Sequence, residues 1–115
     1  MLPKINRVKK KRDFEAIFKE GLKFKNNLFI LRVAKNHLNE NRIGFVVSLK
    51  VSKKATVRNK IRRRLAEAVK VYIDNIERGT DLVFIVLPGA EKNNFFDTKN
   101  AVSFTLNKAK LIKNV

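Results

Sequence analysis

The chain has 115 residues, of which 44% are hydrophobic, and carries a formal net charge of +17 from 27 Lys and Arg against 10 Asp and Glu. This length allows a single domain with a substantial core, and the low content of Gly and Pro argues against disorder. The absence of cysteine excludes disulfides, and the single histidine excludes most zinc sites and most His-based catalytic sites. No apolar run approaches the ~18 residues of a membrane span, so we predict a cytoplasmic protein with no membrane partner.

The positive charge is concentrated in two blocks of the chain. Residues 1–25 contain nine Lys or Arg, and residues 50–64 contain eight with no acidic residue among them. A single block of this kind is explained equally well as a solvent-exposed surface with no binding role. Two blocks in a chain of this net charge predict a focused positive potential that attracts a polyanion, and nucleic acid is the first candidate.

A first helix is predicted for residues 11–21. Phe14, Ile17 and Phe18 recur there at helical spacing, and Gly21 is placed to end the helix. Phe14 and Phe18 share one face directly after a run of four cations, which suits the stacking of unpaired bases beside a bound RNA backbone. Ordinary core packing explains the same pair, so the pattern alone leaves both interpretations open.

Two strands are predicted next. Residues 28–33 and 43–48 are rich in apolar and β-branched residues and flank the polar turn 37–42, which favours an antiparallel hairpin. A further strand precedes Asn26 if the chain breaks there. Along the first strand one row of side chains should face the helices, and the other row carries a cation in an apolar setting beside a groove. The two rows are Phe29, Leu31 and Val33, and Leu28, Ile30 and Arg32.

The strongest helical pattern covers residues 57–76 and is stopped by Gly79. Its apolar positions fall within one arc of the helix, and cations frame that arc in the first half. These cations are Arg58, Lys60, Arg62 and Arg64. Cations near a helix start oppose the helix dipole, so stability alone does not select them. A polyanion supplies a reason, because phosphate also gains from the free N–H groups at that end.

The remaining segments predict one more strand and a final helix. Residues 81–87 form a continuous apolar run closed by Pro-Gly, which is typical of a strand covered on both faces. Asn94 is a suitable N-cap, with Asp97 at the third position, for a helix whose apolar period continues through Leu106 and Ala109 to the end of the sequence. The element order αβββαβα predicts an α+β fold, a two-layer sandwich of helices on a mixed, mainly antiparallel four-stranded sheet.

The sequence offers no catalytic site of its own. The acidic residues are scattered, and His37 lies in a polar turn. Asp13 and Glu15 point apart on a helix, and the favourable position of acids in a first turn explains them. The four glycines form no phosphate-binding loop. We therefore predict no catalytic residue, no metal site and no cofactor bound by the protein.

Two segments resemble the protein component of bacterial ribonuclease P. The stretch RIGFVVSLKVSKKATVRNKIRRRLAEAV, residues 42–69, is similar to the family's strand ending in V-S-K-K and the Arg-Asn-Arg helix after it. The stretch RVKKKRDFEAIFKEG, residues 7–21, is similar to the family's opening helix with its D-F-x-x-x-F-x-x-G pattern. The resemblance implies a sandwich with a left-handed βαβ crossover, like the second domain of a small-subunit ribosomal protein. Lys60 stands where the family motif has Arg, and Arg32 stands where relatives often have an aromatic residue.

The resemblance implies a subunit of ribonuclease P, the ribonucleoprotein endonuclease that removes 5′ leaders from precursor tRNA. Catalysis and its Mg²⁺ belong to the family's large RNA, so the implied partners are that catalytic RNA and precursor tRNA, with no obligate protein partner. Residues 1–115 would form one RNA-binding domain, with a basic N-terminal segment, residues 1–10, that is expected to be flexible. Residues matching the motif that docks on the catalytic RNA are Arg58, Asn59, Lys60, Arg62 and Arg63, preceded by Lys53 and Lys54. Residues assigned to a cleft for the single-stranded leader are Phe14, Phe18, Lys10, Arg12 and Arg32.

Other functional classes fit part of this pattern. A structural RNA-binding protein of the ribosomal type would share the charge and the fold but would not prefer tRNA that carries a leader. A DNA-binding architectural protein could place the basic helix in a major groove, but the two-fold symmetry or second recognition helix of many such proteins is not visible. A helix lying on a membrane surface fits least well, since residues 14–18 offer little apolar length.

Overall fold

The computed structural model describes residues 11–112, and the basic segment predicted for residues 1–10, with Lys10, lies outside them. Within the described part, three helices and four strands follow one another in the predicted order. They are α1 (Lys11–Glu20), β1 (Leu22–Lys25), β2 (Phe29–Lys35), β3 (Arg42–Val46), α2 (Ala55–Lys70), β4 (Thr80–Val86) and α3 (Phe95–Lys108). The predicted α+β fold is confirmed, and so is the additional strand before Asn26.

The four strands form one mixed sheet in the order β1-β2-β4-β3. β2 runs antiparallel to both β1 and β4, whereas β3 runs parallel to β4. The hairpin predicted between residues 28–33 and 43–48 is therefore wrong, because β4 lies between those two strands. The physical reason is burial. Six of the seven residues of β4 are buried, and this apolar run is shielded best when a strand pairs along both of its edges.

The main core lies between one face of the sheet and helices α2 and α3. Because side chains alternate along a strand, Phe29 and Leu31 of β2 point to this face, as predicted for their row. At its centre the ring of Phe84 lies 5.0 Å from that of Phe29, edge to face, and 5.6 Å from that of Phe45, measured between centroids. Helix α1 lies on the opposite face, where Ile30 and Arg32 of the second row point. Leu28, predicted for the same row, precedes β2 and instead packs against the main core, because the chain is still in the turn at that residue.

Helix α2 is shorter than its sequence pattern predicts. It ends at Lys70, and a 3₁₀ turn at Ile73–Asn75 follows, so residues 71–76 do not continue the α-helix. The N–H of Tyr72 donates to the carbonyl of Val69, three residues back, which tightens the end of the helix. Ile76 is nevertheless buried in the main core. Residue 76 is therefore apolar because the segment after α2 packs against the core, and not because the helix continues to that residue.

Helix α3 begins as predicted. The side chain of Asn94 accepts a hydrogen bond from the N–H of Asp97, and the Asp97 carboxylate accepts one from the N–H of Asn94. This reciprocal capping box satisfies backbone donors that the helix itself leaves unpaired. The capping signal in the sequence is thus confirmed at the same two residues.

One arginine fastens α1 to the sheet. Arg42, at the start of β3, donates from Nε and Nη2 to both carboxylate oxygens of Asp81 on β4, at 2.9 and 2.6 Å. Its Nη1 donates at 3.2 Å to Oδ2 of Asp13 in the first turn of α1. Asn36 supplies a further donor to Asp81, at 2.8 Å. The hydrogen bond with Asp81 raises the pKa of the Arg42 guanidinium, so this group is charged at every physiological pH.

We predict that Asp81→Ala lowers the free energy of unfolding by about 2 kcal/mol, because it removes the buried carboxylate that is the main partner of the half-buried Arg42 guanidinium. Urea denaturation measures this change. Asp74→Ala is the matched control, since it removes the same charge from an exposed residue and should alter stability by less than about 0.5 kcal/mol. Equal losses in the two variants would contradict a structural role for the Arg42–Asp81 pair.

Candidate nucleic-acid interface

The sheet face under α1 is only partly covered. This helix has ten residues, and in its packing against the sheet only Ile17 and Val83 are fully buried. Three apolar side chains of the sheet, one from each of three strands, point to the same face and remain half-buried. They are Ile30, Val46 and Ile85. We call the surface formed by these three residues with Phe14, Phe18 and Arg32 the α1 cleft.

The two aromatic residues of α1 line this cleft in different ways. The ring centroids of Phe14 and Phe18 lie 6.3 Å apart, with the ring planes inclined at 41°. Phe14 is half-buried and packs against the cluster of Ile17 and Val83. Phe18 is 39% exposed. Phe14 therefore combines core packing with an open edge, while Phe18 presents a larger part of its ring for contact with another molecule.

Arg32 holds the end of α1 to β2. Its guanidinium donates from Nη2 to the backbone carbonyl of Phe18, and its buried Nε has no hydrogen-bond partner in the structure. Arg32 lies directly across the sheet from Lys23, and Ile30 lies across from Lys25. Both lysines are exposed and point to the α1 face, so they extend the positive charge of the cleft to the edge of the sheet.

The structure brings together only some of the residues predicted for the leader. Phe14, Phe18 and Arg32 meet at the α1 cleft, whereas Arg12 is exposed on the side of α1 away from the two rings. Sequence reasoning missed Lys23 and Lys25 and the apolar floor of the cleft. Their facing depends on the pairing of β1 with β2 and on the position of β4, neither of which a local pattern specifies.

The second basic block surrounds the start of α2. Its N-cap residue, Lys54, makes no side-chain capping hydrogen bond, and the first turn contains no acidic residue. Ser52 fixes the segment just before α2, because its hydroxyl accepts a hydrogen bond from the N–H of Lys54 at 3.2 Å. The helix start thus combines uncapped N–H groups with cations, an arrangement that favours an anion outside it.

The seven residues predicted to dock on the catalytic RNA divide into two groups. Arg58 donates to the carbonyl of Ser52 at 3.0 Å, and Arg62 donates to the side chain of Asn59 at 2.7 Å, so these residues order the loop and the helix surface. The others are exposed and make no hydrogen bond or ion pair with another side chain of residues 11–112. They are Lys53, Lys54, Lys60 and Arg63. Arg64, outside the predicted set, donates to the carbonyl of Asn93 ahead of α3.

The α1 cleft and the start of α2 are linked by the chain that follows β3. Val46 contributes to the floor of the α1 cleft and is the last residue of β3. The chain then passes through residues 47–54 to the uncapped start of α2 on the opposite face.

Other kinds of site are not found in the part of the chain that the structure describes. No group of three or more His, Asp or Glu side chains is placed to hold a metal ion among residues 11–112. None of the described helices is long and apolar enough to cross a membrane.

The chain and its fold resemble known proteins over nearly their full length. A family model described as Ribonuclease P matches residues 2–110. The Ribonuclease P protein component of Clostridium kluyveri is 39% identical over 111 residues, covering 95% of this chain and 98% of that relative. The corresponding protein of Clostridium botulinum is 36% identical over 107 residues, covering 92% and 96%.

Solved structures agree with this assignment. The RNase P protein from Staphylococcus aureus matches with a TM-score of 0.85 at 30% identity, covering 94% of this chain and 98% of that one. The RNase P protein from Thermotoga maritima matches with a TM-score of 0.78 at 32% identity, with the same coverages. A charged cleft and a basic helix start on a fold shared at this level lead to one conclusion: the chain belongs to the ribonuclease P protein family, the protein components of a tRNA-processing ribonucleoprotein.

Proposed function

We propose that this protein binds the catalytic RNA of ribonuclease P through α2 and the 5′ leader of precursor tRNA through the α1 cleft. The observation that carries the proposal is the partly covered sheet face under α1, where exposed aromatic and cationic side chains adjoin an apolar floor. Unpaired bases stack on such rings, and the phosphates between them follow the cations. Double-stranded RNA would not expose its bases to this surface.

Binding of the leader explains why the holoenzyme would prefer its substrate, precursor tRNA, over its product, mature tRNA. Before cleavage, bases of the leader stack on Phe18 and contact the exposed part of Phe14, while Lys23 and Lys25 bind phosphates. Mature tRNA has no leader, so it cannot make these interactions. The protein thereby raises the affinity for precursor tRNA over mature tRNA without contributing a catalytic group.

Docking on the catalytic RNA is assigned to the exposed cations of α2 and the segment before it. Lys53, Lys54 and the uncapped helix start together receive one phosphate, and Lys60 and Arg63 receive others along the helix. Arg58 contributes by holding the loop before α2 through the carbonyl of Ser52. Hydrolysis and the Mg²⁺ it requires are assigned to the RNA, and the protein itself is proposed to bind no cofactor. The proposed location is the cytoplasm.

Reconstitution tests this function directly. Cleavage of a 5′-extended precursor tRNA at low millimolar Mg²⁺ should require a bacterial ribonuclease P RNA and should be stimulated by this protein. Cleavage by the protein alone would show a nuclease site in its own side chains. Failure of the protein to stimulate a cognate RNA would instead support a structural RNA-binding protein of the ribosomal type.

We predict that Phe18→Ala weakens binding of precursor tRNA to the reconstituted holoenzyme about tenfold, because one stacked base contributes roughly 1–3 kcal/mol. Binding of mature tRNA should not change. Phe96→Ala is the matched control, since it removes an exposed ring from α3 on the other face of the sheet. If wild type and Phe18→Ala bind precursor tRNA with equal affinity, the leader does not bind in the α1 cleft.

We also predict that the double variant Lys60→Ala/Arg63→Ala binds the catalytic RNA more weakly and with a shallower dependence on salt. Each phosphate that the variant no longer neutralises should reduce the slope of log K against log salt by about 0.9. Lys70→Ala/Arg78→Ala removes the same charge beyond the basic half of α2 and serves as the control. If both double variants change the slope equally, only net charge matters and α2 has no specific docking role.

A further inference from the structure

A second groove lies on the other side of the β1–β2 turn, away from the α1 cleft. It has a volume of about 310 Å³ and opens between this turn and the first two turns of α3. Four of its seven lining residues are asparagines, at positions 26, 27, 93 and 100, and the others are Leu28, Asp97 and Ala101. Its volume is at the lower end of the range for small-ligand sites, which is enough for a nucleobase with its sugar.

The amides of this groove differ in their availability. Asn26 is fully engaged, because Oδ1 accepts hydrogen bonds from the N–H groups of Leu28 and Phe29 and Nδ2 donates to Thr105 at 2.8 Å. This network fixes the turn against α3. Asn27 and Asn100 are exposed, and their side chains make no hydrogen bond to another residue of the described chain. The groove therefore has a rigid wall and two amides free to bind a ligand.

Aromatic and cationic side chains adjoin these free amides. Phe104 is 65% exposed and lies one helical turn after Asn100, on the same flank of α3 as Asp97. Exposed or half-exposed lysines neighbour the lining residues in sequence, at positions 25, 92 and 99. An Asn amide presents a donor beside an acceptor, which matches the edge of a base, while a ring stacks on its face.

The groove and the α1 cleft lie on either side of the β1–β2 turn. Lys25 and Ile30 point to the cleft, and the three residues Asn26, Asn27 and Leu28, which border the groove, lie between these strands in sequence. A single strand leaving the cleft over Lys25 needs only to pass this turn to reach Asn27. The net charge of +17 favours a nucleic acid here and opposes a second copy of the chain.

We propose that this groove binds an unpaired nucleotide of the leader upstream of the segment held in the α1 cleft. Asn27 and Asn100 hydrogen-bond the edge of the base, Phe104 stacks on it, and Lys25 binds a phosphate on the path between the two sites. The inference rests on the proposed function, because it takes the leader as the strand that leaves the cleft. It adds a dependence on leader length that the cleft alone does not provide.

The test compares two precursor tRNAs with the reconstituted holoenzyme. One has a short leader that fills the cleft, and the other is extended by about six nucleotides, within the size of known single-strand sites. Asn100→Ala/Phe104→Ala should weaken binding of the long-leader precursor about tenfold and leave the short-leader precursor unchanged. Phe95→Ala is the control, since that exposed ring lies roughly 140° around α3 from Asn100. The Asn100 and Phe104 side chains are exposed, so urea denaturation should show unchanged stability.

The outcomes separate this inference from the proposed function. If Phe18→Ala weakens both precursors and the groove variant weakens neither, or both equally, the groove is not a leader site while the cleft remains one. If neither variant changes binding of either precursor, both proposals fail. Dimers of the wild-type protein in sedimentation experiments that are absent in Asn100→Ala/Phe104→Ala would assign this face to a second copy and overturn the groove proposal.

Discussion

The pair between Arg42 and Asp81 is the constraint on which the rest of the molecule depends. It joins the two parallel strands at their start and, through Asp13, fixes the first turn of a helix that buries little of its own surface. Arg32 fixes the other end of that helix. Two arginines are thus used to hold α1 across the sheet. Because α1 is held by its ends, the surface beside it can stay open without loss of the fold.

The junction between α1 and β1 adds a steric condition. A Cβ atom on Gly21 would lie 2.4 Å from the carbonyl oxygen of Ile17 and 3.0 Å from that of Val33, closer than such atoms approach without strain. The N–H of Gly21 also donates to the carbonyl of Ile17 at 2.8 Å, which completes the last turn of the helix. Glycine therefore lets α1 turn directly into β1 and lie close to β2. A larger residue would move the aromatic wall of the cleft away from its floor.

Local signals in the sequence predicted the elements better than their arrangement. Helical spacing and a capping pair located α1 and α3, because these signals act within a few residues. The pairing of strands was not predictable in this way, since residues 37–42 suit a hairpin turn. No local feature of the sequence indicates that β4 inserts between β2 and β3. The same limit applies to the site. The rings of α1 were found, but Lys23 and Lys25 were not, and the internal bond of Arg58 depends on how the preceding loop folds.

The central position of β4 has a consequence for biosynthesis. The β1–β2 pair and β3 share no hydrogen-bonded edge, so they stay two separate pieces until β4 is available to join them. Chains leave the ribosome from their N-terminus, and pairing between distant segments is slow. A nascent chain would present both basic blocks while its apolar strand faces are still uncovered. The mutual repulsion of those blocks therefore acts on the chain before the core that β4 completes can offset it.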